Sequence, residues 1–186
     1  MKKVIAHLKS TAPYGQSRHY VVPKLEKESA ADYEKRTWRN RLHVNGEGNV
    51  FIPPTALKNC LSEAAKYLSM RVPGKGTSTY TKCFEAGVLV IDPIDLGIKA
   101  QDVEGLWLFV PSDGKRGGGK RVDKCFPVIP AWEGLATFYV LDETITEGVF
   151  RTHLEEAGKF IGIGFFRPRN NGFYGRFEVV EIEWDA

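Results

Sequence analysis

The sequence predicts an α+β fold, an antiparallel sheet with two helices on one face and basic arms inserted between its elements. Three observations lead there. Short apolar runs alternate with two segments of helical period, in the order strand, helix, strand, strand, helix, strand. The surplus length falls in three charged excursions, residues 24–48, 71–86 and 111–124. The 186 residues, 42% hydrophobic and 26% charged, suit one domain, 1–186, that buries a real core.

Each element has a local reason. Lys3 to Ser10 reads as a strand, stopped by the turn signal Ala12-Pro13-Tyr14-Gly15. Arg18 to Pro23 continues it or returns beside it. Lys24 to His43 is highly charged, lacks apolar period before Trp38 and reads as an excursion from the core. The clearest helix opens at Pro53-Pro54-Thr55. Leu57, Leu61, Ala64, Ala65 and Leu68 share one face, with Thr55 as expected N-cap and an end near Met70, before Pro73-Gly74. Val88–Ile91 and Leu106–Val110 are short apolar strands. Val122 to Trp132 and Leu135 to Leu141 read as a hairpin turning at Glu133-Gly134. Thr146 to Phe160 is the second helix, with Gly158 at its C-terminal end. The last strand, Arg176 to Trp184, alternates Phe177, Val179, Glu181 and Glu183 against Glu178, Val180, Ile182 and Trp184. The resulting order is the ferredoxin-like βαββαβ pattern.

Bulk properties exclude several classes. Cys60, Cys83 and Cys125 are odd in number and widely spaced, with no CxxC, which argues against a disulfide framework or a zinc site. Reduced thiols and a cytoplasmic location are expected. The first apolar run breaks at His7 and Lys9, too soon for a signal peptide, and no stretch reaches membrane-span length. The net charge of +3 permits a polyanionic partner without demanding one, so the placement of charge matters more than its sum.

That placement is uneven. Ile161 to Trp184 carries Gly162, Gly164, Gly172 and Gly175 around Arg167, Arg169 and Arg176, with Asn170, Phe173 and Tyr174 among them. Glycines allow tight turns and close approach to a ligand, arginines grip phosphates in a planar fork, and aromatics offer stacking faces. Residues 33–43 interleave Arg36, Arg39 and Arg41 with Trp38. The excursions add Lys75 and Lys82, then Lys115, Arg116, Lys120 and Arg121. Gly114, Gly119 and Lys120 have the spacing of a phosphate loop. Arg121 stands where Ser or Thr would hold magnesium, so nucleotide hydrolysis is rejected and a basic hairpin tip is expected. No cofactor or metal is called for: His7, His19, His43 and His153 form no ligand spacing. His19 and His43 are candidate acid–base groups of a metal-independent ribonuclease.

Two segments resemble the RAMP superfamily, the RRM-like proteins of CRISPR effector complexes, and in particular the backbone subunits that coat the guide RNA. Phe51-Ile52-Pro53-Pro54-Thr55-Ala56-Leu57-Lys58 is similar to the start of that family's first helix, with Pro54 where the family usually has glycine. Phe160 to Gly164, through Asn171 to Phe177, is similar to the glycine-rich loop before its last strand. The resemblance implies an RRM-like core, single-stranded RNA or DNA along one face, and self-association side by side into a filament or oligomer. It makes CRISPR effector subunits candidate partners without placing the protein in a CRISPR system, and the absence of a long apolar run leaves no membrane partner expected. A stand-alone or phage-encoded relative that mimics a backbone subunit, and a metal-independent endoribonuclease, remain as alternatives. Asp32 lies where target-cutting members carry an aspartate, without a matching motif around it.

Overall fold

The computed structural model describes residues 1–113, 117 and 119–185. In chain order its elements are β1 (Lys2–Ser10), β2 (Tyr14–Gly15), α1 (Ala30–Thr37), β3 (Asn49–Ile52), α2 (Pro54–Leu68), α3 (Thr81–Gly87), β4 (Val88–Leu89), β5 (Ile94–Lys99), β6 (Glu104–Pro111), β7 (Arg121–Ile129), β8 (Glu133–Val140), α4 (Glu147–Glu156) and β9 (Phe177–Trp184). The result is a mixed α+β architecture with antiparallel sheets and four helices rather than the expected two.

β1 alternates as a half-buried strand should, sending Val4, Ala6 and Leu8 into the core and Lys3, Ile5, His7 and Lys9 outward. It lies between β8 and β9, and the main sheet runs β4-β8-β1-β9. α2 and α4 cover the inner face with Leu57, Leu61, Ala64, Phe150 and Leu154, all at most 2% exposed. Among the described residues no helix is long and apolar enough to cross a membrane.

Several expectations change. α2 begins two residues earlier than a Thr55 cap would place it: Pro53 is the N-cap and Pro54 is helical. Proline's fixed φ and missing N–H suit the first helical position. α4 is capped by Thr146, but after Glu156 the chain widens into a π-type turn, Ala157–Ile161. Gly158 sits inside that turn. Its lack of a side chain lets β9 approach, since a Cβ there would overlap the Phe177 carbonyl oxygen. On β9 the strict alternation fails. Leu8 pairs with Val179 and His7 with Glu181, leaving Val180 as an extra residue. This bulge flips the phase, so that Phe177 and Ile182 are both buried while Glu181 and Glu183 are exposed.

The expected β7–β8 hairpin does not form. β7 pairs with β6 from Glu104↔Val128 to Pro111↔Arg121, and with β2, whereas β8 pairs with β1. The chain changes sheets at a corner where Ser10 N donates to the Trp132 carbonyl (2.9 Å) and Trp132 N donates to Ser10 Oγ (2.8 Å). Residues 18–23 form no strand. The 24–48 excursion contains α1 and a 3-10 turn, Trp38–Arg41, packed on β7. β3 and β5 form a two-stranded pair that the sequence reading missed.

Candidate nucleic-acid interface

The glycine-rich loop is built on close approach, and the approach is to the protein's own backbone. Gly164 and Gly175 both have φ of +77°, where only glycine is relaxed. A Cβ on Gly164 would overlap the Gly15 carbonyl, and one on Gly175 the Ile163 carbonyl. Phe165 N donates to the Gly15 carbonyl (3.2 Å) and Gly175 N to that of Pro13 (2.7 Å), which clamps the loop onto β2. The loop's rings Phe165, Phe166, Tyr174 and Phe173 gather with Phe126 of β7 into one cluster, with neighbouring centroids 5.0–6.4 Å apart.

The clamp places the loop beside the start of α2. A hollow of about 260 Å³ is lined by Tyr14, Gln16, His43, Pro53, Ala56, Gly164 and Phe165. A second, of about 530 Å³, is lined by Ala56, Asn59, Ser62, Glu63, Lys66, Gly164, Arg167 and Asn170. Ala56 and Gly164 line both, so the two hollows adjoin and are described together as the groove. Gln16 fixes its upper end: its buried amide donates to the Phe51 carbonyl (2.8 Å) and accepts from His43 N (2.6 Å). Partial burial, with Arg18 nearby, lowers the His43 pKa and favours the neutral ring. At the lower end Arg167 Nη2 donates to Glu63 Oε1 (3.3 Å), and Nη1 lies 3.1 Å from Oε2. Lys66 pairs with Glu85 at 2.6 Å, both exposed.

The expected binding residues are placed as follows. Arg167 and Asn170 line the groove, and Arg169 is exposed on the same short turn, Pro168–Asn170. Phe173 is exposed, Tyr174 is half-buried in the aromatic cluster, and Arg176 turns back to donate to the carbonyls of Phe173 (2.9 Å) and Lys159 (3.3 Å). Lys75, Lys82, Lys120 and Arg121 are exposed away from the groove. Lys115 and Arg116 lie outside the described residues.

The 33–43 cluster requires correction. Trp38 is buried, capped by the Arg39 guanidinium 4.1 Å from its ring, so it presents no free stacking face. Arg41 is buried and bound to the buried Glu34 (2.7 and 3.2 Å) and to the Cys125 carbonyl (3.1 Å). Arg36 is held by both oxygens of Glu28 (2.7 and 2.8 Å) and by the Pro23 carbonyl. Asp32 accepts from Ser29 Oγ (2.6 Å) in the first turn of α1, a capping role. His19 and His43 line separate cavities and form no pair. The sequence reading missed the polar edge of α2: Asn59, Ser62, Glu63 and Lys66 recur at helical spacing, a signal that was present in the sequence.

No family model matches the chain, and no curated protein matches it in sequence. Solved structures do share its fold. One is a chain of the cryo-EM structure of the Type III-B Cmr-beta bound to cognate target RNA, with 11% identity and a TM-score of 0.56 over all of this chain. This chain spans 61% of that one's length. Another is Cmr6 from Pyrococcus furiosus, with 13% identity and a TM-score of 0.50 over 95% of this chain and 97% of that one. At such identities the likeness is one of fold alone.

Proposed function

We propose that this protein binds single-stranded nucleic acid without cutting it, RNA before DNA, along the groove between α2 and the glycine-rich loop. One observation carries the reading: the two segments with the RAMP resemblance, distant in sequence, meet at Ala56 and Gly164 as the two walls of one groove. Lys66, Arg167 and Asn170 supply phosphate contacts there, with Arg169 beside them. The four-stranded sheet with α2 and α4 is read as the βαββαβ core. The shared fold with a chain from an RNA-bound complex supports RNA as the ligand.

RRM proteins lay their RNA on the open sheet face. Here that face sets the exposed Glu133, Glu178, Glu181 and Glu183 against Lys3 and Lys9, with His7 held by Glu133, an acidic balance that favours the groove as the track. Side-by-side assembly along the strand, and association with effector subunits, are part of the proposal.

The test is fluorescence anisotropy with 40-nucleotide single-stranded RNA, single-stranded DNA and duplex over a salt series, with light scattering for assembly. Binding to single strands is expected, with log K falling linearly with log salt by about 0.7 per phosphate engaged. Lys66→Glu and Arg169→Glu should weaken it and flatten that slope. Absence of single-strand binding, or indifference to both substitutions, refutes the reading.

A further inference from the structure

A further cavity lies apart from the groove. A cleft of about 760 Å³ opens between residues 17–24, α1 and the far half of the β6–β7 hairpin. Its volume lies within the usual range of small-ligand sites, about 300–1,000 Å³. Its floor is the Glu34–Arg41 ion pair, whose charges cancel within the protein. The Arg41 guanidinium also lies 5.3 Å from the Tyr20 ring.

The walls pair cations with rings. Lys24 Nζ is 5.8 Å from the Tyr33 ring centre, and the Arg121 guanidinium is 5.7 Å from that of Phe109, a residue 61% exposed. The tyrosines are anchored: Tyr33 donates to the Val22 carbonyl (2.8 Å) and Tyr20 shares a hydrogen bond with Thr37 (3.0 Å). Arg18 and Lys124 complete the rim. None of Arg18, Lys24, Arg121 and Lys124 enters an ion pair among the described residues. Against these four charges the cleft sets one carboxylate not paired across its own floor, Asp123.

Unpaired cations beside fixed aromatic faces match one ligand chemistry, an anion attached to a flat ring. We propose that this cleft is a second site, distinct from the groove, that takes one nucleoside phosphate unit. The phosphate sits on Lys24 and Arg121, and the base lies against Phe109, the exposed ring of the walls; Tyr33 is already covered by Lys24 and Arg36, and Tyr20 by Arg41. The unit is either a free nucleotide or one nucleotide of a bound strand. The inference stands on the cleft's own chemistry, so failure of the groove reading leaves it intact.

The test uses adenosine 5′-monophosphate, adenosine and inorganic phosphate in isothermal titration calorimetry. The same protein is then given labelled single-stranded RNA with the monophosphate as competitor. The monophosphate is expected to bind saturably and more tightly than either fragment. The double variant K24A/R121A should weaken it by roughly tenfold or more, and F109A should also weaken it. All three residues are at the surface, and unchanged urea midpoints confirm that the variants fold. Competition with RNA, lost in K24A/R121A, assigns the unit to a strand. Monophosphate binding without competition assigns it to a free nucleotide. Arg169→Glu in the groove should leave monophosphate binding unchanged. The proposal is overturned if the monophosphate does not bind and K24A/R121A binds RNA as the parent does. It is equally overturned if monophosphate binding survives K24A/R121A unchanged.

Discussion

Replacing Arg41 by methionine tests whether the cation is a buried strut or a phosphate ligand. The side chains of Arg41 and Glu34 are 8% and 5% exposed, so water screens the pair little. The substitution removes two hydrogen bonds to Glu34 (2.7 and 3.2 Å) and one to the Cys125 carbonyl (3.1 Å). Glu34 keeps only the Cys125 N–H at 2.8 Å, as a buried carboxylate with no countercharge. Breaking one side of such a pair costs about 3–5 kcal/mol. For a chain of this length that is a fall in Tm of roughly 6–20 °C. Urea unfolding of R41M, E34L and the double variant gives the measurement. The double variant should recover most of the loss, because both charges leave together. A loss below about 1 kcal/mol in R41M, the value of a solvated surface pair, would refute the reasoning. So would unchanged stability combined with weaker RNA binding, since Arg41 would then be a ligand contact.

Three further outcomes are expected. Glu63→Gln releases Arg167 from its carboxylate, so single-stranded RNA should bind more tightly, with a salt slope steeper by about 0.7; anisotropy that stays the same would place Arg167 off the track. Gly175→Ala forces a left-handed backbone and an overlap with the Ile163 carbonyl. It should cost at least about 1–3 kcal/mol in urea unfolding, and a neutral result would mean that the loop relaxes freely. Burial holds the His153 pKa below its ordinary 6.5, as it does for His43, so the folded state binds fewer protons than the unfolded one in acid. Stability is therefore full above about pH 6.5 and falls below it by up to about 1.4 kcal/mol per pH unit per histidine. His153→Phe, which keeps the stack on Phe84 (4.2 Å) and removes an unpartnered Nε2, should flatten that limb between pH 6.5 and 5; an unchanged pH profile by thermal melts would exclude His153 as its source.

The sequence by itself determined the elements whose signal is local. β1, α2 and α4 were legible because burial on one face imposes a period of 2 or 3.6 on neighbouring residues, as in Leu57, Leu61, Ala64 and Ala65; β9 was legible as a strand but not in its phase, which the bulge at Val180 shifts. The two segments of RAMP resemblance were legible too, because proline and glycine constrain the backbone wherever they stand. Pairing between distant strands was not. β7 was read as the partner of β8, its neighbour in sequence, while it pairs with β6, and the chain leaves for the other sheet at Trp132. Nor was the fate of charged side chains legible. Arg41, Arg36 and Arg167 have the same chemistry on the page. Tertiary structure decided that the first closes a buried pair with Glu34, the second is held by Glu28, and the third reaches the groove. A guanidinium's role is set by which acceptors the fold brings within about 3 Å, and those acceptors lie as far off in sequence as Cys125 does from Arg41.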